Sequence, residues 1–337
     1  MTEPMFPDRA RAARRLRRRV VGGLSGLLAG LALPVRAQEF PSRPITLVVP
    51  FAVGGATDVT ARRLADELAR LLKTSVVVEN KPGAGSFVAT TSVTKAARDG
   101  HTLLFGGSGI TNVNPHVFRN LPYKVSELAP ISTVSKQAFI VNAHAGIPAR
   151  TVAELVAYAR SRPDGLVFGT VGTGTTSHIL AEWIGRTLGI KVVAVPYKGT
   201  SQSTVDLIAG RIDVQMDGMS TAVAMHKAGK TRIVASMGNE RAGLPDGVQT
   251  FAEAGHPELV AYAQFALLAP AGTPDPVIRK LHAAVATAVR VPEFADRLRA
   301  GGEIPEASAS PEEYAALIRS EDKRWGDIIR PMNLRLD

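Results

Sequence analysis

Cysteine is absent from this chain of 337 residues. Its absence excludes disulfide frameworks, thiolate metal sites, cysteine nucleophiles, CxxC redox chemistry and lipid modification of an N-terminal cysteine. Aromatic residues are scarce, at 5%. The seven histidines (101, 116, 144, 178, 226, 256 and 282) are scattered, with no pair at the spacing of helical metal ligands. No uninterrupted apolar run approaches the roughly 18 residues of a membrane-spanning helix. Walker A and HExxH sequences are missing. A GxSxG nucleophile elbow is approached at Gly106-Gly107-Ser108-Gly109-Ile110, where isoleucine takes the last glycine position. A GxGxxG fingerprint fails in the same way at Gly83–Val88 and at Gly172–Ser177. Neither a catalytic residue, a metal nor a cofactor is expected.

What the chain does contain is positive charge, a formal +10, but it is unevenly placed. Residues 1–37 hold eight arginines against Glu3 and Asp8, a net +6, which leaves +4 for residues 38–337. The basic cluster ends at Arg19, an apolar run from Val20 to Leu33 follows, and Pro34-Val35-Arg36-Ala37 resembles an A-x-A cleavage site. Charged region, short apolar region and cleavage site together predict a signal peptide over 1–37, cut near Ala37, and export to the periplasm. A basic tail or an amphipathic anchor is the plainer alternative, and Arg14-Arg15 leaves open whether the export route is twin-arginine or general. With these arginines set aside, no basic stripe interleaved with aromatics remains, so a nucleic-acid partner is not expected. At about 150 residues per domain, the remainder is long enough for two.

The mature region alternates strands and helices. Ile45–Val49 is a continuous β-branched run suited to a strand covered on both faces. Asp58–Leu72 carries apolar residues at helical spacing. Strands are predicted at Ser75–Glu79, Thr102–Phe105, Leu166–Gly169, Lys191–Val195, Ile212–Met216 and Ile233–Met237, with helices between them. Further helices are predicted from Pro274 to about Val289 and from Pro311 to about Arg330. This rhythm predicts an α/β fold with mainly parallel sheets flanked by helices.

In such sheets ligands bind where strands run out into helices. Two strand-to-helix turns are rich in glycine. The first contains Val53, Gly54, Gly55, Ala56, Thr57 and Asp58; the second runs from Gly169 through Gly172, Thr173, Gly174, Thr175, Thr176 and Ser177 to His178. Glycine admits close approach of a ligand to the backbone, and the first amides of a helix have no intrahelical partner. Each turn is therefore a candidate anion site. The plainer alternative is a pair of tight turns capped by Thr57, Asp58 or Thr176, with His178 packed or capping. Trp183 and Trp325 are expected in the core.

The turns and their order resemble the substrate-binding components of tripartite tricarboxylate transporters, the Bug or TctC-like family. The resemblance runs through Pro41–Ile45, Val49-Pro50-Phe51, Gly54-Gly55, Val77–Gly85, Asn114-Pro115, Leu121-Pro122-Tyr123, Gly174-Thr175 with His178, Val195–Gly199 and Leu267–Pro274. It implies a two-domain, type II-like periplasmic binding protein with its cleft between lobes. Domain 1 would take 38–138 plus 262–337 and domain 2 would take 139–261, with Phe139–Asn142 and Leu259–Leu268 crossing between them. The resemblance further implies binding of a small organic acid or acidic amino acid, partnership with membrane permease subunits, and a monomeric mature chain. It adds Ser108, Asn112, Tyr197, Lys198, Gly199, Asp217 and Phe265 to the two turns as ligand-binding candidates. Here Ala52-Val53 replaces the proline common before Gly-Gly, which bears on which acid is bound. Two other classes stay open: a receptor read by a membrane sensor kinase, and an exported α/β hydrolase using Ser108.

Overall fold

The structure is a computed structural model that describes Thr2, residues 39–241 and residues 243–337. The predicted signal peptide falls, Thr2 apart, outside the described residues. Residues 43–337 group as one compact unit, which carries the fold.

The chain enters the sheet at β1 (Ile45–Val49), whose Ile45, Leu47, Val48 and Val49 are fully buried. Helix α1 (Ala56–Leu72) follows, burying Ala61, Leu64, Ala65 and Leu68 one turn apart against the sheet. Next come β2 (Val76–Asn80), α2 (Phe87–Thr94) and β3 (Thr102–Gly106). The next strand, β4 (Leu128–His144), is 17 residues long. Helix α4 (Val152–Arg160) is preceded by the short α3 (Asn114–Val117) and opens with a capping box. In that box the Glu154 amide donates to Thr151 Oγ1, and the Thr151 amide donates to Glu154. Strands β5 (Leu166–Thr170), β6 (Val192–Pro196), β7 (Val214–Gly218) and β8 (Thr231–Ser236) alternate with α5 (Thr176–Leu188), α6 (Thr200–Ile208) and α7 (Met219–Lys227). The chain ends through β9 (Gln249–Thr250), β10 (Tyr262–Pro270), α8 (Asp275–Arg290), α9 (Pro292–Ala300), β11 (Ile304–Pro305) and α10 (Pro311–Ile329).

The strand order is β2-β1-β3-β10-β4-β7-β5-β6. β2, β1 and β3 are parallel to one another, as are β6, β5 and β7. Between these two parallel halves run the long strands β4 and β10, antiparallel to each other from Leu128↔Pro270 to Ala138↔Tyr262. Beyond Ala138, β4 leaves β10 and pairs with β7 and β8. The run Phe139–Asn142 lies within the longer β4, whereas Leu259–Leu268 becomes strand only from Tyr262, and the sheet is parallel at both ends and antiparallel between.

Each half has its own core. Val48, Leu104, Ala266, Leu268 and Tyr314 meet in the first. Phe168, Ile179, Ile184, Val214 and Phe251 meet in the second. At roughly 1.5–3 kcal/mol per large apolar side chain removed from water, these clusters are the main stabilising force. Val113 and Val117 belong to the second cluster, as do Trp325 and Ile329 from the last turns of α10. α10 thus begins in one core at Tyr314 and ends in the other. Trp325 is buried, as expected; Trp183 is only partly so and lines an open groove with Ile328 and Met332. Among the elements that escaped prediction are α9 and the two-residue strands β9 and β11.

Candidate functional site

The first turn follows β1 and is held from within. The buried Asp58 carboxylate accepts from the Gly54 amide (2.9 Å), Arg62 Nε (3.0 Å) and Asn80 Nδ2 (2.8 Å). Asn80 also donates to the Phe51 carbonyl and accepts from Arg62. Burial pushes the Asp58 carboxyl up, but Arg62, the Gly54 amide and Asn80 outweigh it and hold it below its ordinary range. Neither Thr57 nor Asp58 occupies the N-cap of α1; Gly55 does. The first α1 amide taken up by a helical carbonyl is Val59, by Gly55, so those of Ala56, Thr57 and Asp58 have no intrahelical acceptor. A Cβ placed on Gly54 would meet nothing within 4 Å, and Phe51 and Val53 are exposed. The turn therefore opens to solvent.

Asp58→Ala leaves Arg62, Asn80 and the Gly54 amide without their shared acceptor. It should lower stability by about 2 kcal/mol, measured by urea unfolding at pH 7. Because the carboxyl titrates lower in the folded chain, its contribution is present above about pH 4 and lost as pH falls through the folded value. Wild type and variant should converge in strong acid.

The second turn is built on the same plan. Thr175 occupies the N-cap of α5, in place of the expected Thr176. Its hydroxyl donates to the Gly172 carbonyl (2.7 Å) and lies 3.1 Å from Ser177 Oγ, which accepts from the Val171 amide (3.0 Å). His178 Nδ1 accepts from the Gly174 amide at 3.0 Å, the capping role weighed above. Burial holds this imidazole below its ordinary value, in keeping with a neutral ring. The first α5 amide accepted within the helix is Ile179, by Thr175. The amides of Thr176, Ser177 and His178 are left without helical acceptors. Thr173 is exposed.

The turn after β3 joins the two halves. Gly107 lies so close to β10 that a Cβ there would sit 1.6 Å from the Gln264 carbonyl oxygen. Ser108 is buried. A single π-helical turn over Gly109–Val113 follows. A Cβ on Gly109 would lie 3.2 Å from Thr176 Oγ1, so this turn of the first half touches the N-terminus of α5 in the second. The same turn holds Asn112 turned away: its amide donates to the Ile318 carbonyl of α10 and its oxygen accepts from Thr111.

The remaining candidates fall on the second half, except Phe265. Tyr197 donates to Asp206 at 2.8 Å, Lys198 is exposed, and a Cβ on Gly199 would meet nothing within 4 Å. Asp217, expected after its strand, is the fourth residue of β7; it accepts from the Gly218 amide and from Gln215 Nε2. Burial pushes its carboxyl up to about 6, against the pull of Gly218, Gln215 and Asn142. Phe265 is buried and stacked on Phe105, ring centroids 6.2 Å apart and ring planes nearly parallel. Asn142 and Gln215, opposite each other on β4 and β7, are buried polar residues that sequence reading passed over. Their positions inside apolar runs are the only signal that marks them. Among the described residues no group of His, Asp and Glu could hold a metal ion.

The model of the tripartite tricarboxylate transporter family receptor matches residues 60–334. The chain belongs to that family. The receptor MatC from Rhodopseudomonas palustris, solved with bound malate, is 32% identical, with TM-score 0.80 over 86% of this chain and 100% of that one. The R. palustris protein Rpa4515, solved with adipate, is 31% identical, with TM-score 0.81 over 87% and 98%. The periplasmic binding protein BugD is 28% identical, with TM-score 0.81 over 88% and 100%. The fold is that of a two-domain periplasmic binding protein, and family membership places the chain among periplasmic receptors.

Proposed function

We propose that this chain is a non-enzymatic receptor that captures a small dicarboxylate between its first and second turns and delivers it to membrane permease subunits, after cleavage near Ala37. Unsubstituted, hydroxylated and amino dicarboxylates fall in the class. In this reading the domains are 38–138 plus 262–337 and 139–261, and the mature chain works as a monomer.

One observation carries the reading. Two helix N-termini, each with three amides lacking helical acceptors, lie at the strand ends of two halves that meet where Gly109 touches Thr176. The malate and adipate held by the two R. palustris proteins are doubly charged acids of the kind such a pair would suit. A dissociation constant near 1 μM needs about −8.2 kcal/mol. Helix termini supply at most about 2 kcal/mol each. Hydrogen bonds to the charged oxygens, at about 1.5–3 kcal/mol apiece, make up the rest. Ser108, Thr173 and the exposed Lys198 are the side chains that would add to them. An acid that touches both halves binds the closed arrangement more tightly and so shifts the population toward it. A hydrolase built on Ser108 is not favoured by the match to a receptor family whose solved members hold intact acids.

The test is a thermal-shift titration of the mature protein. At 100-fold excess over Kd, succinate, malate or adipate should stabilise by about 2.7 kcal/mol, visible as a raised melting temperature. The matching diamides should do nothing. Equal shifts from acid and amide would defeat the reading.

A further inference from the structure

We infer that the C-terminal tail belongs to the binding apparatus: Leu336 and Phe118 press together on Gly174 and fix the second turn in the shape that presents its amides. This rests on the proposal that the turn is a carboxylate mouth.

The tail is bonded in place beside the end of α3. The Leu336 amide donates to the Val117 carbonyl at 2.8 Å, and the Arg119 amide donates to the Leu336 carbonyl at 2.9 Å, making a parallel bridge between Phe118 and Leu336. Both side chains then reach the same glycine. A Cβ on Gly174 would sit 2.5 Å from Phe118 Cζ and 2.8 Å from Leu336 Cδ1. Gly174 has φ +75°, a conformation that glycine adopts without strain. Its amide is given to His178 on the inner side. The residue is thus gripped from within by an imidazole and from without by two apolar side chains that come from residues 56 and 162 positions away. Phe118 reaches the first half as well, packing edge-on against Phe87 (centroids 4.8 Å apart) and beside Gly85. The turn has a second glycine in the left-handed region, Gly172 at φ +126°. A turn of this composition would sample many shapes if nothing outside it held it. Leu336 and Phe118 are positioning residues; they act through Gly174 and donate nothing to a ligand themselves.

The experiment compares wild type with Leu336→Ala, Leu336→Met, Leu334→Ala and a chain ending at Arg335. Malate and adipate are titrated by calorimetry, and amide hydrogen exchange over 171–178 is followed without ligand. Leu336→Ala and the truncated chain should bind at least five-fold more weakly and exchange faster across 171–178. Leu336→Met, which refills the contact, should restore both. Leu334→Ala, which loosens tail packing on the second core without touching Gly174, should change neither. Wild-type affinity and exchange in Leu336→Ala would overturn the inference. If wild type binds neither acid, the carboxylate reading fails by itself. Exchange then decides alone: faster exchange in Leu336→Ala supports the clamp, and unchanged exchange refutes it.

Discussion

Gly107→Ala should leave the protein unfolded or lower its melting temperature by roughly 10 °C. The added methyl would sit 1.6 Å from the Gln264 carbonyl oxygen and 2.7 Å from its carbonyl carbon. Both atoms are backbone, so no side-chain rotation relieves the overlap; β3 or β10 must move. Overpacking a well-filled site costs about 1–3 kcal/mol, and more when the backbone must yield. For a chain of this length, each kilocalorie shifts the midpoint by about 2–4 °C. Gly109→Ala is the control, because its methyl would meet only Thr176 Oγ1 at 3.2 Å. Its melting temperature should stay near wild type. Comparable melting of the two variants would show that β10 is less firmly seated than the contact implies.

Asp217→Asn should make the protein more stable at neutral pH and leave it unchanged in mild acid. The Asp217 carboxyl titrates near 6 in the folded chain, against about 3.9 when unfolded. Between those values the folded state holds a proton that the unfolded state has released. The stabilising contribution is therefore complete below about pH 4 and lost as pH rises through 6. Two pH units correspond to roughly 3 kcal/mol. Asparagine keeps the acceptor for the Gly218 amide and removes the charge. Its new amide can meet Gln215 Oε1, a buried atom with no hydrogen bond. Denaturant unfolding should show equal stability at pH 4 and a gain of about 2 kcal/mol for the variant at pH 7.5. Burial also raises Glu303, whose carboxylate accepts from Thr60 and Ser135. The wild-type slope therefore has two sources, and only the difference between the two proteins reports on Asp217. Parallel pH profiles would assign that slope elsewhere.

How far the sequence speaks depends on whether its signals are local. β1 is marked by an unbroken β-branched run, and α8 by burial of Ile278, Leu281, Val285 and Ala288 at helical spacing, so both elements lie where periodicity puts them. The two glycine turns were legible because turn chemistry is written in adjacent residues. The extent of β4 was not: Thr133, Ser135, Gln137 and Asn142 are buried in it, and polar residues inside a strand hide it from a hydrophobic pattern. The same limit applies to the candidate site. The first turn's chemistry named Asp58 and the family resemblance named Asn112 and Tyr197, but which of their atoms are already engaged depends on Arg62, Ile318 and Asp206, partners fixed by packing. Leu336 was beyond reach for the same reason. Nothing near position 336 mentions Gly174.

β4 is continuous through residue 138, where the proposed domains divide, and β10 runs beside it. β4 alone passes unbroken across that boundary, since β10 begins at Tyr262, where the first half resumes. Such a joint bends like a leaf spring. Its resistance is spread along hydrogen-bonded backbone, because β4 pairs with β10 on one side of residue 138 and with β7 and β8 on the other. A gene fragment cut at residue 138 would end inside β4 and strip β7 and β8 of their pairing partner.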